Sequence, residues 1–283
     1  MYQAGLILEG GGMKGMYTCG VLEFFMEKGL WFSDCYGVSA GACHLCSYLS
    51  GQKKRAFHVA VDYLQCRDYC SARSLLLTGN LFHEDLCYDL IPNWLNPYDY
   101  AAFDRYEGKA WAVVTNIVTG RPEYLPLRDM KRDIKAVQAS SSLPLVSRNV
   151  KIGNNLYLDG SLADSIPIRR SVQDGNRKNV VVLTKEVGYR KEKSSALGLI
   201  RAAYLRYPQV YELMKNRHIS YNKTLDYLEE QEREGRAFVI RPQTPSGVKR
   251  IEKDRDKLTA LYEQGYREAA ANYEALLDYL ARP

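Results

Sequence analysis

Gly37-Val38-Ser39-Ala40-Gly41 sets a serine between two glycines, after an apolar run and before a helical pattern. A strand that turns sharply into a helix is the geometry of a nucleophile elbow, and glycines two residues either side let the backbone turn without a Cβ clash. Ser39 would then stand at a helix N-terminus, where the helix dipole favours developing negative charge. Alone, the pentapeptide reads equally well as a small-residue strand-to-helix turn.

A second loop of the same kind is Glu9-Gly10-Gly11-Gly12-Met13-Lys14-Gly15, again after a strand and opening a helix. Main-chain N–H groups freed by such a loop form an anion cradle. For a serine esterase the loop from Gly10 to Gly15 is an oxyanion hole, with the N–H groups of Gly11, Gly12 and Met13 facing the oxygen that becomes negative in the tetrahedral intermediate. Gly10, Gly12 and Gly15 also fit Gly-x-Gly-x-x-Gly, the dinucleotide fingerprint. That fingerprint needs a carboxylate about 20 residues on, at the C-terminal end of the next strand. Asp34 lies at the wrong end of that strand, and Gly37-Val38-Ser39 occupies the right one. A nucleotide-dependent oxidoreductase is therefore disfavoured.

A nucleophilic serine needs a base, usually histidine. The chain has four histidines. His44 follows on the helix that begins at the elbow and is expected to point away from it; His58 and His83 fall in a helical insertion, and His218 in a Lys-rich, Tyr-rich helix. The better candidate is Asp159, delivered by the short apolar strand Leu156-Tyr157-Leu158 to the turn Gly160-Ser161. In a dry pocket such a carboxylate is a stronger proton acceptor for a serine hydroxyl than in water. Asp-Gly is also an ordinary turn signal. Cys43-His44-Leu45-Cys46 and Cys66-Arg67-Asp68-Tyr69-Cys70 resemble a split zinc site, but the first pair shares the helix that must pack behind Ser39, so no metal is expected.

The elements that must position these residues follow an α/β rhythm. Gly5 to Leu8, Cys35 to Val38, Trp111 to Thr115 and Val180 to Leu183 read as buried strands. Helices are expected from about Met13 to Lys28, ended by Gly29, and from Ser39 toward Leu49. Residues 1–184 form the expected catalytic core, with a helical insertion at 53–104 walling the pocket. Residues 185–283 complete that core, with a last edge strand at Phe238 to Pro242, and add amphipathic helices that must dock by one face. At 283 residues, 46% apolar and 25% charged, the chain can build a core and is neither collagenous nor disordered.

The net charge is +6, and the stretch from Lys185 to Lys223, with nine basic residues against three acidic, carries an excess equal to that of the whole chain. Mixed with tyrosine, it reads as a solvated helix face, or as a surface for an anionic membrane or an acidic partner, not for nucleic acid. The first residues hold no basic leader, no apolar run is long enough to span a bilayer, and seven cysteines show no disulfide pattern. The expected address is cytoplasmic, peripheral to the inner membrane face.

Taken together and in order, Glu-Gly-Gly-Gly-Met-Lys-Gly, Gly-Val-Ser-Ala-Gly and Asp-Gly-Ser resemble the patatin-like phospholipase family, its bacterial cytoplasmic members in particular. The resemblance runs from about Gly5 to Val182 and includes Ala139-Ser140-Ser141-Ser142-Leu143-Pro144 and Asp164-Ser165-Ile166-Pro167. It implies a three-layer α/β/α fold with a mostly parallel sheet and a helical C-terminal extension. It also implies a cofactor-free, metal-free Ser-Asp dyad hydrolase of lipid acyl esters, with Ser39 as nucleophile, Asp159 as base and the Gly10 to Gly15 loop as oxyanion hole. Lys14 stands where plant members usually have Arg, and Ser161 replaces a usual Gly or Ala; neither change removes a reacting group. The rival reading is a non-catalytic membrane- or partner-binding module that keeps the elbow.

Overall fold

The apolar runs Leu6-Ile7-Leu8 and Val180-Val181-Val182 are fully buried, because both are inner strands of a sheet whose two faces are covered. The computed structural model describes residues 1–282. Its strands are β1 (Tyr2–Leu8), β2 (Phe32–Val38), β3 (Lys109–Asn116), β4 (Pro122–Pro126), β5 (Val150–Ile152), β6 (Asn155–Asp159), β7 (Asn179–Val182) and β8 (Ala237–Ile240). The helices are α1 (Met16–Glu27), α2 (Ala40–Leu49), α3 (Arg55–Val61), α4 (Ala72–Thr78), α5 (Tyr100–Asp104), α6 (Met130–Ser140), α7 (Ile168–Gln173), α8 (Leu197–Ala203), α9 (Pro208–Arg233), α10 (Arg255–Ala271) and α11 (Tyr273–Ala281).

The strand order is β5-β6-β3-β2-β1-β7-β8, with β4 also paired to β3. Strands β3, β2, β1, β7 and β8 run parallel, while β4 and β6 pair antiparallel with β3, and β5 pairs antiparallel with β6. Alternation along the strands sorts the core into two layers. Leu6, Leu8, Val180 and Val182 pack with α1, α2 and α10, whereas Ile7, Val181 and Tyr36 pack with Ile168 of α7 and with Tyr221, Leu225 and Leu228 of α9. This is the expected three-layer α/β/α arrangement, and β8 is the expected edge strand.

Two hairpins were not legible in the pattern: β3-β4, which turns at Gly120, and β5-β6, which turns at Gly153, both glycines with positive φ. The 53–104 segment carries α3, α4 and α5, and its stretch around Pro92 is a widened π-helical run from Leu86 to Leu95. A wide turn tolerates a residue without an N–H.

The C-terminal helices dock on α1 by a close backbone crossing. A Cβ on Gly20 would lie 1.9 Å from the Tyr262 carbonyl oxygen, and one on Gly265 would lie 2.1 Å from the Tyr17 carbonyl oxygen. The two glycines face each other's helix, so α10 approaches α1 more closely than any side chain would permit. Around this crossing Tyr17 donates to Glu268 at 2.6 Å, Tyr266 donates to Glu27 at 2.6 Å, and Phe24 packs edge-on against Tyr266 and Tyr273. Gly20→Ala and Gly265→Ala should each lower stability by about 1–3 kcal/mol through overpacking, despite the better helix propensity of alanine. Gly198→Ala, in α8 with nothing within 4 Å of the added carbon, should leave the urea midpoint unchanged or raise it. Equal midpoints for all three variants would contradict the packing described.

Candidate active site

Strand β3 has two edges, and β4 occupies one of them along Trp111 to Thr115. The other is shared end to end: β2 pairs with Lys109 to Val113 and stops at Val38, and β6 takes over at Val114, opposite Asp159. Ser39, one residue past Val38, and Asp159 are therefore brought together by consecutive residues of one strand edge, although 120 positions separate them in sequence.

Ser39 has φ 55° and ψ −123°, a left-handed conformation for a non-glycine residue, which stores strain of about 1–3 kcal/mol. Its N–H, left without a strand partner by the turn, donates to Ser140 Oγ at 2.9 Å, and that hydroxyl donates to the Val113 carbonyl at 2.6 Å. Two residues on, the Ser142 carbonyl accepts from the Asp159 N–H at 2.8 Å. The serine run after α6 thus fixes both strand ends. Asp159 is fully buried. Its Oδ1 accepts from the Ser161 N–H at 2.8 Å, and its Oδ2 has no hydrogen-bond partner. No hydrogen bond joins Ser39 Oγ to Asp159, and none joins either to an imidazole. Gly160 lies tight on the Val113 carbonyl, and Gly37 and Gly41 flank the elbow against Ala42 and the Leu8 carbonyl.

The glycine loop passes directly over the elbow. A Cβ on Gly10 would fall 2.7 Å from Ser39 Cβ, so only glycine lets the loop come this close. The N–H groups of Gly10, Gly11 and Gly12 donate to no acceptor among the described residues. Met13 departs from expectation: its N–H is already bonded to the Arg250 carbonyl at 3.0 Å, so it is not free for an oxyanion. Gly15 sits beneath the loop, against Ala40 and His44. Glu9 anchors the loop, its Oε1 accepting from Tyr221 at 2.6 Å and its Oε2 from the Thr184 N–H at 2.7 Å and hydroxyl at 3.0 Å.

A cavity of about 380 Å³ opens at Ser39. The 53–104 segment lines it with Val59, Phe82 and Ile91, and α6 with Ile134 and Val137, an apolar wall suited to a hydrocarbon chain. His44 is buried on this wall, not turned outward. Burial alone pushes its pKa down to about 4, so the ring is neutral at pH 7.

Residues that motif reading missed come from the C-terminal half. Arg217 and Arg250 line the cavity. Arg217 donates from Nε to the Ser161 carbonyl at 2.7 Å and from Nη2 to Ser161 Oγ at 2.6 Å, gripping the turn that carries Asp159. The available signal was the basic stretch itself. Arg190, Lys193, Arg201, Arg206, Lys215 and Lys223 are exposed, as a solvated face requires, but Lys185, Lys191 and Arg217 are half-buried.

A strained serine elbow under a glycine loop, at the carboxyl edge of a mostly parallel three-layer sheet, defines an α/β protein of the acyl-hydrolase type. The patatin-like phospholipase model matches residues 6–171, and the chain belongs to that family; residues 207–281 match a domain of unknown function, DUF6363. Among similar proteins, the uncharacterized protein YjjU of Escherichia coli is 29% identical over 185 residues, 63% of this chain and 51% of that protein. The chain thus spans about half the length of that relative. YqhO of Bacillus subtilis, also uncharacterized, is 24% identical over 75% of this chain and 80% of its own. The probable lipid hydrolase 463L of Invertebrate iridescent virus 6 is 23% identical over 63% and 66% respectively. VipD from Legionella pneumophila shares the fold, with a TM-score of 0.53 at 12% identity over 97% of this chain and 67% of that one.

Ser39→Gly should relieve the strain at the elbow and raise stability by about 1 kcal/mol, since glycine adopts positive φ freely. A lowered urea midpoint for this variant would show that the backbone there is not strained.

Proposed function

We propose that this protein hydrolyses acyl esters of lipids, in the manner of a phospholipase or lysophospholipase, through a Ser39-Asp159 dyad. Ser39 Oγ attacks the ester carbonyl while its proton passes to Asp159 Oδ2. The carbonyl oxygen becomes negative facing the free N–H groups of Gly10, Gly11 and Gly12, joined by the N–H of Ala40, which as the first residue of α2 has no partner within its helix. The tetrahedral carbon then releases the alcohol, which takes the proton from Asp159. Water attacks the acyl-serine, gives its proton to Asp159, and the fatty acid leaves as that proton returns to Ser39 Oγ.

The observation that carries this reading is the unpartnered Asp159 Oδ2. A buried carboxylate oxygen without a donor is costly and is normally satisfied, and this one ends β6, which pairs with β3 next to the place where β2 leaves for Ser39. The apolar cavity supports a fatty acyl substrate. Ser39→Ala should remove nearly all turnover of a p-nitrophenyl acyl ester, and Asp159→Asn should match it closely, because members of one catalytic unit are non-additive. Wild-type rate in either variant excludes the dyad. Labelling by a fluorophosphonate separates the enzyme from the rival binding module, because only an activated serine reacts.

We propose further that the protein works at the inner face of a membrane, from the cytoplasm. Its cysteines are all free, as a reducing compartment leaves them, and no helix of the described residues is long and apolar enough to cross a bilayer. The segment that walls the cavity also presents Leu76 (86% exposed), Leu77 (67%) and Trp94 (74%) to solvent, and large exposed apolar side chains of this kind suit a lipid interface. Leu76→Glu and Trp94→Glu should weaken cosedimentation with vesicles containing phosphatidylglycerol. Undiminished binding by the double variant would remove this segment from the interface.

A further inference from the structure

Arg217 on α9 and Arg250 before α10 line the cavity, and three further cations from two other parts of the chain come near them: Lys14 in the glycine loop, and Lys185 and Lys191 after β7. Among the described residues none of the five has a carboxylate within ion-pair distance, whereas Arg190, one residue before Lys191, is paired with both Asp226 and Glu229. The carboxylates close enough to act on them are Asp159, beside Arg217, and Glu9, and both oxygens of Glu9 are already taken by Tyr221 and Thr184. Burial, and then Arg217 and Arg250, push the Lys191 ammonium down to about 7, and burial pushes that of Lys185 down to about 8, with Glu9 opposing and Lys14 and Arg250 adding to the fall. The chain thus holds together basic groups whose charged forms disfavour one another, so an anion bound among them would favour the charged forms.

Three of these groups are held in place. Arg217 is held by two hydrogen bonds to Ser161, which leave Nη1 free to donate. The main chain of Lys191 is clamped by Asn222, whose Oδ1 accepts from the Lys191 N–H at 2.8 Å and whose Nδ2 donates to its carbonyl at 3.1 Å. Its ammonium lies over the Tyr221 ring at 5.0 Å, and that of Lys185 over Tyr189 at 5.4 Å. Preorganised, unpaired donors of one sign around a half-buried opening are the chemistry that binds a phosphate group.

We propose that Lys185, Lys191, Arg217 and Arg250, with Lys14, form the binding site for the phosphate of a glycerophospholipid headgroup, which sets an acyl ester of the same molecule at Ser39. The proposal rests on the lipid hydrolase reading above and narrows its substrate to anionic phospholipids. Four of the five residues lie outside the 6–171 match to the patatin-like model, and Arg217 and Arg250 lie within the 207–281 segment of unknown function. That segment thereby acquires a role: it supplies the two arginines of a headgroup site that Lys14, Lys185 and Lys191 complete.

The test separates recognition from catalysis by measuring binding to the full-length Ser39→Ala protein. The probes are dihexanoylphosphatidylglycerol, uncharged dihexanoylglycerol and inorganic phosphate, titrated by calorimetry. The phosphatidylglycerol should bind about tenfold or more tighter than the uncharged lipid, as expected for one or two charge-assisted hydrogen bonds, and Lys185→Gln/Lys191→Gln should abolish that preference. If that pair of changes lowers the melting temperature, Arg250→Gln, on an exposed side chain, replaces it. Equal affinity for charged and uncharged lipid, or a preference that survives the variants, overturns the site. Inorganic phosphate binding as tightly as the phospholipid would make it a free-anion site and overturn the headgroup assignment. A preference that holds while the wild type neither turns over ester nor takes the fluorophosphonate label defeats the hydrolase reading and leaves the anion site standing.

Discussion

One edge of β3 organises the molecule. A strand edge offers a single row of donors and acceptors, and here that row is divided between β2, which leaves at Ser39, and β6, which arrives antiparallel and ends at Asp159. Where one partner stops and the other begins, the ladder cannot be continuous, and main-chain groups would be stranded in the core at a cost of about 1–3 kcal/mol each. The hydroxyl of Ser140 and the carbonyl of Ser142 fill that gap by bonding to the Ser39 and Asp159 N–H groups. The hydroxyl-bearing and carboxyl-bearing residues are thus placed by backbone pairing, which is stiff, and not by side-chain packing, which is less so. Asp159 Oδ2 at this junction is left without a partner, and it is the atom to which the proposed mechanism assigns the proton.

The C-terminal half is part of this arrangement rather than an appendage to it. The reciprocal contact of Gly20 and Gly265 seats α10 on α1, and the loop before α10 then lies over the glycine loop, where the Arg250 carbonyl takes the Met13 N–H. From the opposite layer, α9 sends Tyr221 to the buried Glu9 and Arg217 to Ser161. Deleting these helices would leave Glu9 without one of its donors, the Met13 N–H without its acceptor and the Asp159 turn without its clamp. The glycine loop and the turn that carries Asp159 are braced from both halves of the chain.

Much of the fold was legible because its signals are local. Leu6 to Leu8 and Val180 to Val182 are apolar throughout, which only strands covered on both faces require. Gly37 and Gly41 bracket the elbow, and the glycine loop needed residues without a Cβ wherever it approaches Ser39. The strands that escaped notice have weaker signals: β4 begins and ends in proline, and β5 is three residues long. The Met13 N–H was misjudged because its acceptor, Arg250, lies 237 positions away, and the basic stretch after β7 was read as one surface because charge counts carry no direction.

The sequence by itself determined which residues could react, which loops must be glycine and that the chain alternates strands with helices, since each of these depends on steric and periodic constraints within a few neighbouring residues. Only the tertiary structure decided that β2 and β6 share an edge, that Met13 is occupied, and that Lys185, Lys191 and Arg217 turn inward while their neighbours face water. Those outcomes depend on where distant segments meet, and the free energy of such meetings belongs to pairs of surfaces that no single stretch of sequence contains.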